Sequence, residues 1–217
     1  MTKGLFGRFV FIAVSCVIIA VVGGGVSFIR RPVAKTCLVL WVIWWLVRFL
    51  GMQRGAASVY EQRQRLMVVL SGAIVIPMLI VAPPWEYAHY AGPIPRDGLL
   101  AWAGLFLFAV GIALQAAAIW ALHGLYTTRL GVQAEHEVVT SGPYRWVRHP
   151  GYTSQIMCMT GIGLALSSLV GLGMTILVVP LFLWRMQQEE EMLLAEFGGE
   201  YRAYRQQTKW RLIPLVF

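Results

Sequence analysis

The chain has 217 residues, 58% of them hydrophobic, and a mean hydropathy of +0.66. Soluble domains carry about 45–50% apolar residues, so an ordinary soluble domain is excluded and a membrane protein is expected. The formal charge of +8 is concentrated between apolar segments, where positive residues orient membrane proteins. With no basic tail and no aromatic–basic repeat, nucleic acid is excluded as a partner.

In chain order, Lys3 and Arg8 precede an apolar run from Phe9 to Val22 laid out like a secretory signal. The run is long and no A-x-A cleavage site follows it, so a retained first span is expected. Apolar regions then lie at about 9–29, 36–52, 66–84, 98–122 and 153–186. The last exceeds the roughly 20 residues that cross a bilayer. Ser167-Ser168 and Gly171-Leu172-Gly173 divide it near 167–172 into a tight helical hairpin. The fold class is all-α: a polytopic integral membrane protein of about six transmembrane helices. Continuous rather than alternating apolar runs argue against a closed β-barrel.

Arginine and lysine placement puts the N-terminus, 53–65, 123–152 and 187–217 in the cytoplasm and 85–97 outside, with Arg30, Arg31 and Lys35 against the rule. The span interiors read as almost free of ionisable groups, with Gln115 and a few serines as the polar exceptions. That disfavours a small transporter or scaffold, whose expected mark is ionisable residues deep within several spans. Cys16, Cys37 and Cys158 sit in apolar segments and read as small buried hydrophobes. His89, His123, His136 and His149 lack metal-ligand spacing, so no metal is expected. Gly23-Gly24-Gly25 and Gly161-Ile-Gly163 read as close-packing positions within apolar helices rather than as a dinucleotide-binding turn.

Two polar stretches interrupt this pattern. The first, 123–152, contains Ser141-Gly142-Pro143, which is turn chemistry, and His149-Pro150-Gly151-Tyr152, where proline biases His149 toward an extended backbone. An irregular backbone at a membrane boundary is tolerated where protein or a cavity surrounds it, which favours a ligand role for His149 and Tyr152. Arg145, Trp146 and Arg148 read instead as interfacial anchors. The second stretch, 187–217, opens with Gln-Gln-Glu-Glu-Glu, and its Phe197, Tyr201 and Tyr204 mark one face of an amphipathic helix. Arg185 and Glu189 are four apart and share a helix face. Alone they are an ordinary ion pair, but three adjacent carboxylates at the mouth of a span suit an ammonium-bearing ligand.

The run from Val139 to Tyr152 (VTSGPYRWVRHPGY), with Glu189 to Tyr204 (EEEMLLAEFGGEYRAY) and Ile213-Pro214, resembles the signature of the isoprenylcysteine carboxyl methyltransferase family. The two motifs come in the expected order, separated by a helical hairpin, and the likeness covers roughly 120–217. It implies S-adenosylmethionine as cofactor, with S-adenosylhomocysteine as product. His136, Glu137, Val138, Val139 and Tyr144 would line the cofactor, His149, Pro150, Gly151 and Tyr152 would contact it, and Glu189 would receive its ammonium. Arg185 and Glu189 would be the catalytic pair, Arg185 holding the acceptor's carboxylate. The resemblance also implies two functional parts: 1–122 as the lipid-side scaffold, and 123–217, with hairpin 153–186, as the cofactor-binding region. The expected acceptor is a lipophilic or lipid-modified molecule reached from the bilayer. The expected location is the cytoplasmic membrane of a prokaryote, with the site facing the cytoplasm. Phospholipid or small-amine N-methylation is the alternative within the same reaction class. A sterol-type reductase shares a related C-terminal architecture but fits the RHPGY and triple-Glu runs less well.

Overall fold

The computed structural model of the chain describes residues 2–51, 75, 79–90, 92–122 and 138–213, and every regular element among them is helical. Helix α1 spans Thr2–Val22, α2 Val26–Arg30 and α3 Pro32–Gly51. Helix α4 covers 79–89. Helix α5 spans Leu99–Ala121, α6 Pro150–Ala165, α7 Leu169–Phe197 and α8 Gly199–Gln207. Helices α3, α5 and α7 are long and apolar enough to cross a membrane, and Phe6–Val22 forms a shorter apolar helix. Phe106, Ile176 and Leu177 lie on their outer faces, exposed, as lipid-facing positions require. The chain is an integral membrane protein. The predicted span 66–84 falls mostly outside the described residues, and its last turn belongs to α4.

The first apolar region is not one helix. Gly23–Gly25 form the turn that ends α1, with Gly24 and Gly25 at φ 104° and 65°. Glycine adopts that left-handed backbone without steric cost, and a Cβ at Gly23 would enter the Phe28 ring. Helix α3 then returns alongside α1. Trp41 donates to the Ser15 hydroxyl at 2.9 Å, and Phe11 meets Trp45 edge-on at 4.6 Å. The span interiors are also less bare than expected. Arg48, in the last turn of α3, lies over Trp44 and Trp45 at 5.7 and 5.6 Å, a cation held against aromatic faces.

The α5–α6 pair is the centre of the fold, and small residues explain its closeness. A Cβ on Gly161 would lie 2.6 Å from the Phe108 nitrogen, and one on Gly104 2.5 Å from the Ala165 nitrogen. Such small-residue contacts let membrane helices approach without polar cost. Ser154 donates to Gln115 at 2.8 Å across the same interface, satisfying both polar groups inside the apolar core.

The hairpin turn is Leu166–Ser168, with Ser167 at φ 52°, and α7 starts at Leu169 rather than after the glycines. Ser168 caps α7 by accepting from the Gly171 N–H at 2.8 Å. Glu86, expected in an external loop, is instead buried in α4. It accepts from the Ser168 hydroxyl at 2.6 Å and the Val170 N–H at 3.0 Å. Its negative charge meets the positive end of the helix dipole. Arg31 pairs with Asp97 at 3.2 Å, beside the segment whose Pro95 carbonyl accepts from Ser167 at 3.5 Å. The predicted amphipathic segment both extends α7 to Phe197 and, after Gly198 at φ 50°, turns back as α8 with Tyr201 and Tyr204 buried.

Candidate active site

About 20 residues of α7 cross an apolar layer, which leaves Glu189–Phe197 projecting beyond it. Two neighbouring faces of that projection differ. Met186 and Glu190, four apart, are buried, with Glu190 only 3% exposed. Arg185 and Glu189 lie one residue earlier in each turn, and the Glu189 side chain keeps 30% exposure.

The loop before α6 is shaped to meet both faces. A 3₁₀ turn covers Gly142–Arg145, with Gly142 at φ 58°. The Tyr144 carbonyl accepts from the Tyr204 hydroxyl at 2.8 Å, so α8 is fastened to the turn. Proline at the first position of α6 suits a helix start, since no N–H is lost there. His149 precedes it at φ −126°, ψ 59°, so the expected extended backbone is kept in φ alone. Its carbonyl accepts from the N–H groups of Tyr152 and Thr153, which draws ψ away from the extended range.

Arg148 corrects the expectation of an interfacial anchor. It is buried, donates to Glu190 Oε1 at 2.9 Å, and donates to the carbonyls of Thr208 and Lys209 at 2.9 and 2.8 Å. A buried guanidinium needs such partners, because an unpaired one is costly. Backbone pairing continues the latch: Arg148 and His149 N–H groups donate to the carbonyls of Trp210 and Arg211 at 2.9 and 3.0 Å. Thr153 donates to the Leu212 carbonyl at 2.8 Å. The segment 208–212 is thereby strapped across the loop. Trp146 is exposed, with the Arg145 guanidinium 4.7 Å from its ring centre.

Glu190 is the hub of this latch. Besides Arg148, Oε1 accepts from His149 Nε2 at 3.1 Å, and Oε2 accepts from Arg211 at 3.0 Å with Arg205 at 3.9 Å. Burial by itself would raise its pKa. Hydrogen bonds from His149 and Arg148 and the adjacent positive charge outweigh burial and hold the carboxyl at about 2. Burial, with the charges of Glu190 and Glu189, pushes the Tyr201 hydroxyl up, and burial pushes Tyr204 up to about 12.

On the exposed side, Tyr152 donates to Glu189 Oε2 at 3.2 Å, and His149 Nδ1 stands 4.0 Å from the same oxygen. The His149 and Tyr152 rings meet edge-on at 5.8 Å, and the Arg185 guanidinium reaches the Tyr152 hydroxyl. The structure thus brings together His149, Tyr152, Arg185 and Glu189. Pro150 is buried beneath them, and Gly151 faces open space where a Cβ would stand. Val138 and Val139 form irregular chain before the 3₁₀ turn. His136 and Glu137 lie outside the described residues. Sequence reasoning missed Glu190, Arg148 and Arg211. The local signal for Glu190 was its four-residue spacing from Met186, which marks the buried stripe of α7.

Residues 102–195 match the family model described as the isoprenylcysteine carboxyl methyltransferase (ICMT) family. A rice protein (Oryza sativa subsp. indica) named probable protein-S-isoprenylcysteine O-methyltransferase is 28% identical over 112 residues, covering 50% of this chain and 59% of its own length. The human protein-S-isoprenylcysteine O-methyltransferase is 29% identical over 108 residues, covering 48% of this chain and 38% of its own length. The chain therefore spans about three-fifths of the rice relative and less than two-fifths of the human one. Among solved structures, the eukaryotic intramembrane Ras methyltransferase ICMT superposes with a TM-score of 0.60 at 20% identity, over 96% of this chain and 75% of that one. The likeness to the isoprenylcysteine carboxyl methyltransferase family thus runs through residues 102–195, and nearly all of the chain adopts the fold of that membrane protein.

Proposed function

We propose that the protein is an integral membrane methyltransferase that uses S-adenosylmethionine to methylate a carboxylate on a lipophilic acceptor. The observation that carries this reading is the approach of a carboxylate oxygen and a ring nitrogen at the mouth of α7. Glu189 Oε2 and His149 Nδ1 are 4.0 Å apart. Two acceptors each about 2.9 Å from one tetrahedral nitrogen stand up to about 4.7 Å apart, so the gap suits a single ammonium. Gly151, with open space at its Cβ position, leaves room beside that seat, and the Tyr152 ring offers a face to a sulfonium. The residues fit the cofactor.

Bound S-adenosylmethionine would supply a methyl group on a positively charged sulfur. Glu189 and His149 would hold its ammonium, with Val138, Val139, Tyr144, Pro150 and Gly151 around the remainder. His136 and Glu137 complete the expected lining. Arg185 would fork onto the acceptor's carboxylate and aim one oxygen along the line of the breaking bond. A carboxylate acceptor is already ionised near neutral pH, so it would take the methyl group without any residue of the site having to remove a proton. Residues 1–122 would select the acceptor and 123–217 would hold the cofactor. The relatives' names make an isoprenylcysteine-type acceptor the first to test.

The test is methyl transfer from labelled cofactor by protein in lipid nanodiscs, offered a prenylcysteine analogue or phosphatidylethanolamine. Transfer to the first is expected. Transfer to the second alone would replace O-methylation by N-methylation. With Arg185→Ala, turnover should fall by about 100-fold or more while S-adenosylhomocysteine still binds. Unchanged turnover in that variant would remove Arg185 from the site.

A further inference from the structure

Glu190 has no place in the cofactor seat, since both its oxygens are occupied, yet it touches the seat through one atom. We propose that Glu190 is a positioning residue that fixes the tautomer of His149, taking the hydrogen of Nε2 and leaving Nδ1 bare toward Glu189. This deepens the proposed function and rests on it for the identity of the ligand.

Donors and acceptors around Glu190 decide the tautomer. Oε1 of Glu190 already accepts from Arg148 at 2.9 Å, and Oε2 from Arg211 at 3.0 Å with Arg205 at 3.9 Å. Among these cations the carboxylate is ionised and offers lone pairs alone. The 3.1 Å contact to His149 Nε2 is then a hydrogen bond only if Nε2 carries the hydrogen. In a neutral ring the other nitrogen is an acceptor. Nδ1 stands 4.0 Å from Glu189 Oε2, beyond hydrogen-bond length. A hydrogen on Nδ1 would point at Glu189 and compete with an incoming ammonium. A doubly protonated ring would repel the ammonium outright. The Nε2–H tautomer instead makes a two-acceptor seat, in the same way that a carboxylate behind a metal-bound histidine sets which nitrogen faces the metal.

The experiment is nitrogen-15 NMR of histidine-labelled protein in nanodiscs, with His149 assigned by its loss in His149→Asn. In the wild type, Nε2 should be protonated and Nδ1 unprotonated, and adding S-adenosylhomocysteine should move Nδ1 toward a hydrogen-bonded shift. In Glu190→Gln the amide oxygen still accepts from Nε2, so the tautomer should persist and affinity should stay within about threefold. In Glu190→Leu the ring should lose its Nε2 preference, and affinity should fall by about tenfold or more. A purely structural Glu190 would change thermal stability and leave the tautomer alone. A wild-type ring protonated on Nδ1, singly or doubly, overturns the proposal, as does Glu190→Leu with unchanged tautomer and affinity. If Glu190→Leu does not fold, the wild-type and Glu190→Gln spectra decide. Failure of S-adenosylhomocysteine to bind the wild type would instead sink the functional reading, and the ligand-free spectrum would still decide this one.

Discussion

A buried glutamate stands at each end of the α6–α7 hairpin, Glu86 of α4 against its turn and Glu190 of α7 at its open end, and the two are satisfied in different ways. At the turn, Glu86 accepts from one hydroxyl and from the backbone N–H groups of Leu169 and Val170. Its partners are neutral, and the first turn of α7 supplies the positive potential. At the other end, Glu190 sits among Arg148, Arg211, Arg205 and His149. The first arrangement closes a helix start and nothing more. The second gathers charge from three separate stretches of chain, 148–149, 190 and 205–211, and thereby brings the C-terminal segment and the loop to one point. A buried carboxylate among cations is thus the joint of the site, whereas one among amides is a cap.

The two ends differ most in what their loss costs. Glu190→Ala leaves Arg148 buried without its anion, a loss of about 3–5 kcal/mol, and should make the 208–212 segment sensitive to protease. Stability close to wild type would mean that the cations do not depend on Glu190. Next in size is the effect of acid. The Glu190 carboxyl, at about 2 rather than its ordinary 4.5, contributes stability that is whole above the ordinary value and lost as pH falls through the lower one. That contribution is about 3 kcal/mol. The gap in thermal midpoint between wild type and Glu190→Gln should therefore hold steady from about pH 6 to 8 and shrink below about pH 4.5. A gap independent of pH would contradict the ionised hub. The smallest effect is expected at the other end: Glu86→Ala should cost about 1–2 kcal/mol of stability and leave affinity for S-adenosylhomocysteine unchanged. A drop in affinity there would show that the two ends are coupled.

What was legible in the sequence follows the reach of each interaction. Long apolar runs declare helices because a membrane span must satisfy its own backbone. The hairpin turn was legible from Ser167-Ser168, displaced a little because Ser168 caps α7 ahead of Gly171 and Gly173. Arg185 and Glu189 were legible as an i,i+4 pair on one helix. The Arg148–Glu190 contact spans 42 residues, and no local pattern announces it. Arg148 looked like an interfacial anchor because nothing in its neighbourhood reveals that 208–212 will cover it. Glu86 looked like a loop residue for the same reason, its partners lying more than 80 positions away. Gly23–Gly25 were legible as special but misassigned, since glycine serves close packing and left-handed turns alike, and only the Phe28 ring folding back decides between them.

The central claim is that α7 and the loop before α6 form a seat for the ammonium of S-adenosylmethionine or its product. Calorimetric titration of S-adenosylhomocysteine into nanodisc-embedded wild type, Glu189→Ala and Glu86→Ala tests it most directly. Binding is expected in the wild type and Glu86→Ala, and a loss of about tenfold or more in Glu189→Ala. No heat in the wild type, or equal affinity in wild type and Glu189→Ala, would contradict the account.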